Sequence, residues 1–152
     1  MASRWPFGAK REQLSGQALA RIKARFEAQH DENDAPLLTF SQLAWTLFSL
    51  AGWDCKQFKH MTLLSDAAFC RIKNDVDWNW SFLSVVSICV GLRADISTAE
   101  LLLKAAGFSF GTSRKRKIYS FLFTDPDLIG RGIIDCNAFL LAMEAPLLGG
   151  AA

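Results

Sequence analysis

Apolar positions recur along this chain at helical rather than strand spacing. Phe40, Leu43, Ala44, Leu47 and Phe48 fall at i, i+3, i+4, i+7 and i+8, so a helix over 39–51 has one apolar face. Thr39 with Gln42 has the capping-box spacing, and Gly52 offers a left-handed stop. Ser97 and Glu100 repeat the box ahead of Leu101, Leu102 and Ala105, and Gly107 closes that segment. Between these helices, residues 79–92 are apolar almost all round, with Ser81, Ser84, Ser87 and Gly91 as one narrow row of small side chains. Such a helix belongs in the core, its small side against a close neighbour. Segments 113–124 and 133–143 are further apolar helices, separated by Asp125-Pro126-Asp127 and the Gly130/Gly132 pair. The two aspartates are expected to cap the element that follows.

Residues 10–29 carry only a thin apolar row, Leu14, Ala18, Ile22 and Phe26, and Asp31-Glu32-Asn33-Asp34-Ala35-Pro36 then breaks the chain. The expected organisation is an N-terminal basic helical arm with an acidic linker over 1–36 and a helical body over 37–152. Phe121-Leu122-Phe123 is the best strand candidate, but no hairpin turn flanks it. The expected fold class is all-α, a multi-helix bundle, with no internal repeat.

Composition narrows the function classes. Of 152 residues 51% are hydrophobic and 21% charged, which fits one globular domain and not a disordered chain. The N-terminus lacks the apolar run of a secretion signal. The nearly uncharged stretch Ser81–Leu92 is 12 residues long, against the roughly 20 that span a bilayer. Cys55, Cys70, Cys89 and Cys136 form no close pair and have no histidine at ligand spacing. A reduced, cytoplasmic protein without metal or cofactor is the simplest expectation, its cysteines small buried hydrophobes. His60 lies near Cys55 and Cys70, but no residue supplies the base and orienting group of a catalytic thiol. With no glycine-rich phosphate loop either, an enzyme is not expected.

Residues 54–74 read as a short helix (Asp54 to Met61), a tight connection (Thr62-Leu63-Leu64) and a second helix opened by Ser65, followed by the buried helix. That order builds a helix-turn-helix unit, whose second helix enters the major groove while the first crosses the phosphate backbone. Ser65, Asp66, Ala67, Phe69, Cys70, Arg71 and Lys73 are then the groove-facing candidates. The chain resembles a bacterial Cro/repressor-like helix-turn-helix domain family, found alone or appended to other domains such as macrodomains. The resemblance covers roughly residues 40–149. It rests on Phe40-Ser41-Gln42-Leu43, Phe69-Cys70-Arg71-Ile72-Lys73, Trp78, Val85 to Leu92, Leu102-Leu103-Lys104-Ala105-Ala106-Gly107-Phe108, Ser113, Ile134, Asn137, Leu140 and Pro146-Leu147-Leu148-Gly149. It implies an all-helical body with a repressor-like core and a C-terminal helical extension over about 96–149, with DNA binding inferred from the fold. The chain departs from the family where basic residues open the second helix, having Asp66-Ala67, and has Trp80-Ser81-Phe82 in place of Pro-Ser-Lys.

Charge sharpens that departure. Residues 63–80 hold Arg71 and Lys73 against Asp66, Asp75 and Asp77, a net of −1, on a surface that must approach phosphates. Positive charge sits instead on the arm, at Lys10, Arg11, Arg21, Lys23 and Arg25, and at Arg114-Lys115-Arg116-Lys117. These are candidate contacts to phosphate or another anionic partner, or plain solvated helix faces. The four consecutive bases begin a helix, where they oppose its dipole. Trp78 is expected to plug the core beneath the second helix. Trp80, where the family has a surface proline, is expected to be exposed, and with Phe82 to anchor a partner protein. Two functions follow. The first is a DNA-binding transcriptional regulator of a bacterium or mobile element, acting as a dimer on duplex DNA. The alternative is a protein-interaction module without DNA binding, such as a phage-encoded anti-CRISPR or another defence-system inhibitor or component.

Overall fold

The computed structural model describes residues 15–33 and 38–149. Among them are eight α-helices and no strand: α1 (Gly16–Asn33), α2 (Phe40–Ala51), α3 (Cys55–Thr62), α4 (Asp66–Lys73), α5 (Phe82–Gly91), α6 (Ile96–Ala105), α7 (Arg114–Phe121) and α8 (Ile133–Ala142). The protein is all-α. Phe121-Leu122-Phe123, the strand candidate, is the end of α7 and its turn. Trp5, Lys10, Arg11, Leu14 and the Asp34-Ala35-Pro36 break lie outside the described residues.

Local chemistry sets each boundary. Thr39 and Gln42 form the capping box, and Gly52 at φ 75° takes the Phe48 and Ser49 carbonyls. Asp54, Ser65 and Ser113 cap α3, α4 and α7 by accepting the third amide beyond. Three helices differ from expectation at their ends, and one expected pair of caps does not act. The arm helix opens after Ser15, whose hydroxyl accepts the Ala18 amide at 3.0 Å, and it runs through Asp31-Glu32-Asn33 because neither Asp nor Glu stops a helix as a proline does. Helix α5 starts at Phe82, not at 79, because Ser81 caps it and the Trp80 ring turns inward against Phe40. Helix α6 is capped by Asp95, which accepts the Thr98 amide at 2.8 Å; a carboxylate complements the dipole better than the Ser97 hydroxyl does. Asp125 closes its own turn by accepting the Asp127 amide, and α8 begins after Gly132 without a side-chain cap.

The core forms around α5. Val85, Val86, Ile88 and Cys89 are completely buried, and α3, α6 and α8 pack on it while α2 lies across α4 and α6. Gly91 sits so close to the end of α3 that an added Cβ would lie 2.8 Å from the Met61 carbonyl oxygen and 2.9 Å from Thr62 Cγ2. Buried Ser87 gives its hydroxyl to the Leu83 carbonyl and accepts the Gly149 amide at 2.9 Å. The small row of α5 therefore meets two partners, α3 and the C-terminal segment. Asn137 clamps that segment from α8, its Nδ2 donating to the Leu148 carbonyl and its Oδ1 accepting the Leu148 amide, and the Tyr119 hydroxyl donates to the Pro146 carbonyl. A second set of contacts is aromatic: Phe48 lies within 5.1–6.3 Å, ring centre to ring centre, of Trp45, Trp53, Phe58 and Phe69, tying α2, α3 and α4 together.

Gly91→Ala is expected to cost about 1–3 kcal/mol, the usual penalty of overpacking against a backbone that cannot yield. Urea unfolding checks it: a lowered midpoint at unchanged slope is the expected outcome, and an unchanged midpoint would show that α3 and α5 part freely.

Candidate functional site

Helices α3 and α4 are joined by Leu63, Leu64 and Ser65, and the turn closes through Leu63 in the left-handed region at φ 60°. Of the groove-facing candidates, Ser65, Asp66, Ala67, Cys70 and Lys73 are exposed. Phe69 is not: it is buried in the aromatic cluster, 5.3 Å from both Trp45 and Phe58. Asp66 is bound to Lys59 of α3 at 2.8 Å. The hydrogen bond and the charge of Lys59 hold the Asp66 carboxyl below its ordinary range, and the same contact raises Lys59. The opening of the second helix thus presents a neutralised pair to an approaching phosphate. Its far end is no more receptive. Arg71 stacks on the Trp78 ring, 3.5 Å from its centre, a cation–π contact that orders both side chains. Beside them a cleft of about 470 Å³ carries Asp75 and Asp77 in its lining. Asp75 accepts from the Thr39 hydroxyl and the Gln42 amide at 3.0 and 3.1 Å.

The structure reverses the expected roles of the two tryptophans. Trp80 is 8% exposed and packs on Phe40, whereas Trp78 is 46% exposed. Both rings lie in the irregular segment before α5, where residues 76–79 are exposed and only Trp80 turns inward, so neither helical nor strand periodicity reveals the direction. Phe82 is also no free anchor. It is half-buried among Phe108, Phe110 and Tyr119, and the Arg116 guanidinium lies 3.9 Å over its ring.

The basic clusters divide by environment. Arg116 is occupied, donating to the Ser109 carbonyl at 2.8 Å besides stacking on Phe82. Arg114, Lys115 and Lys117 are exposed. Arg114 and Lys117 border an open cleft of about 530 Å³ together with Thr112, Ile118, Phe121 and Met143. On α1, Arg21, Lys23 and Arg25 are exposed.

A feature that periodicity did not single out is the outward face of α8. Ile133, Cys136 and Leu140 are buried, but Ile134 is 70% and Leu141 68% exposed. Ala138 is exposed between them, and Phe121, exposed on α7, stacks on Phe139 with ring centres 6.0 Å apart. A surface helix ordinarily turns polar side chains to water, so a two-sided apolar helix leaves one side for another surface. The signal was present in Ile133-Ile134-Asp135-Cys136-Asn137-Ala138-Phe139-Leu140-Leu141. It was legible only as a strongly apolar helix.

Among the described residues no group of three or more His, Cys, Asp or Glu is placed to hold a metal ion, and no helix is long and apolar enough to cross a membrane. No family model, curated protein or solved structure matches the chain.

The thiols differ more than expected. Cys89 and Cys136 are buried, and burial pushes Cys136 up to about 11 and Cys89 higher still. Cys70 is exposed, against the expectation of a buried small hydrophobe, and Cys55 is half-buried with its thiol raised by desolvation and by Asp66. A disulfide reagent at pH 8 is therefore expected to label Cys70 first and Cys55 more slowly, with Cys89 and Cys136 reacting only in denaturant. Mass spectrometry of the labelled chain checks the order.

Proposed function

We propose that this chain is a protein-interaction module whose binding surface is the outward face of α8, carried on a core of helix-turn-helix order. The observation that carries this reading is the exposure of Ile134 and Leu141 on one side of a helix whose other side is buried. Burying two such side chains against a partner is worth about 3–6 kcal/mol at 1.5–3 kcal/mol each. The charge around the face is mixed. Residues 118–149 hold Arg131 against Asp125, Asp127, Asp135 and Glu144, while Arg114 and Lys117 stand beside Phe121 and Met143, so the apolar side chains carry the reading and the charges do not set the sign of the partner. An inhibitor or component of a defence complex falls within this reading.

Duplex DNA binding is the second reading. It is supported by the order α3, three-residue turn, α4 and buried α5, by the resemblance to repressor-like domains, and by the exposed Lys73 with Arg21, Lys23, Arg25, Arg114, Lys115 and Lys117. Against it stand the Lys59–Asp66 pair, the engagement of Arg71 with Trp78 and the Asp75/Asp77 cleft. A protein that neutralises few phosphates gains little of the affinity that counterion release supplies.

Fluorescence polarisation on a random-sequence duplex at 50 mM salt separates the two. The expected outcome is binding weaker than about 10 μM that Arg71→Ala and Lys73→Ala leave unchanged, with capture of a protein partner abolished by Ile134→Asp/Leu141→Asp. Sub-micromolar duplex binding lost with Lys73→Ala would overturn the protein reading in favour of DNA.

A further inference from the structure

We infer that the cleft between the start of α2, residues 75–80 and the end of α6 is a binding site for an organic cation, a guanidinium or ammonium group on an apolar stem. Neither α7 nor α8 lines it, which makes it a site apart from the α8 face. Its volume of about 470 Å³ falls within the roughly 300–1,000 Å³ of ligand sites. Phe40 and Trp80 give it a buried apolar wall, and the Trp78 ring that also lines it is 46% exposed. An indole face next to carboxylates satisfies such a cation while its stem leaves water. The acids are Asp75 and Asp77, and no base lines the cleft. Asp75 is fixed without being neutralised, since the Thr39 hydroxyl and Gln42 amide that bond it are uncharged; its charge also offsets the positive end of the α2 dipole. The Asp77 carboxylate has no hydrogen-bond or ionic partner among the described residues. The carbonyl end of α6, at Ala105 and Ala106, adds partial negative charge.

An independent sign of a ligand is Ser41. It is 4% exposed, it lines the cleft, and its hydroxyl has no hydrogen-bond partner among the described residues. Thr62 and Ser87, which are buried to the same degree, each donate to a carbonyl one turn back. A buried polar group without a partner costs free energy, and a hydroxyl oxygen accepts an N–H as readily as its proton is donated. A guanidinium or ammonium entering the cleft brings the donors that this oxygen lacks. Three bases adjoin the cleft segments in sequence. Arg71 lies over the Trp78 ring, and Lys73 and Lys104 are exposed, but none of the three lines the cleft. Their charge offsets that of the acids at long range, so the attraction acts on contact and the affinity of a small cation is on the order of 1 mM.

The test follows the amide NMR spectrum of the full chain as n-butylguanidinium is added. Saturable shifts are expected at Ser41, at residues 75–80 and at Ala105 and Ala106, with a dissociation constant on the order of 1 mM. Asp77→Asn and Ser41→Ala are each expected to weaken binding about threefold to fivefold while the rest of the spectrum stays in place. The uncharged isostere n-butylurea is expected to bind about tenfold more weakly. Leu141→Asp is expected to leave the shifts unchanged, which separates the fate of this site from that of the α8 face. The cation site is overturned by the absence of saturation at about 20 mM, where a millimolar site is filled. Equal shifts from n-butylurea or from calcium chloride, or an affinity that neither Asp77→Asn nor Ser41→Ala changes, overturn it as well. A capped peptide with one internal arginine then assigns the source: binding tighter than n-butylguanidinium points to a side chain of a partner protein, and failure of the peptide where n-butylguanidinium binds points to a free organic cation.

Discussion

The whole body hangs on the contact between Gly91 of α5 and the last turn of α3. Only a residue without a side chain lets the α5 backbone come that close to the Met61 carbonyl and Thr62, and that approach positions α5 as the axis on which α3, α6 and α8 all rest. One turn earlier Ser87 continues the same row and takes the Gly149 amide, so the C-terminal segment is seated by the helix that seats α3. Gly149 is itself close-fitting, at φ +104° with an added Cβ falling 2.7 Å from Leu63 Cβ. The connection between α3 and α4, the central helix and the chain end are thereby one mechanical unit.

In that unit the charged and aromatic side chains of α3 and α4 are turned on one another and on neighbouring elements. Lys59 engages Asp66, Arg71 engages Trp78, and Asp75 is held by Thr39 and Gln42. The first two pairings occupy a base or ring that a nucleic-acid surface would need left free, and the third fixes an acid beside them. The most exposed apolar side chains lie elsewhere, on α8, beside Phe121 of α7. Order of helices and use of a face are separate properties: the first follows from packing, the second from which side chains are left without a partner.

Much of the fold was legible because it is decided locally. Thr39 with Gln42, Asp54, Ser65 and Ser113 act on amides only three residues away, and the small row of α5 announced a close neighbour. The Ser97/Glu100 spacing misplaced one start: Asp95 opens α6 and Ser97 does not, because the carboxylate is the stronger acceptor at a helix N-terminus. The site was less legible. Trp78 and Trp80 differ by two positions in an irregular segment, so no periodicity decides which ring faces inward. The answer came from Phe40, far away in sequence, which receives Trp80.

The sequence by itself determined the helical class, most helix boundaries, the buried nature of α5 and the segregation of charge, since these depend on neighbours within about four positions along the chain. Tertiary structure alone decided which apolar side chains stay outside. Ile133 and Ile134 are chemically identical neighbours, one buried and one 70% exposed. Their fates separate because α5 covers one side of α8, while among the described residues the other side stays exposed.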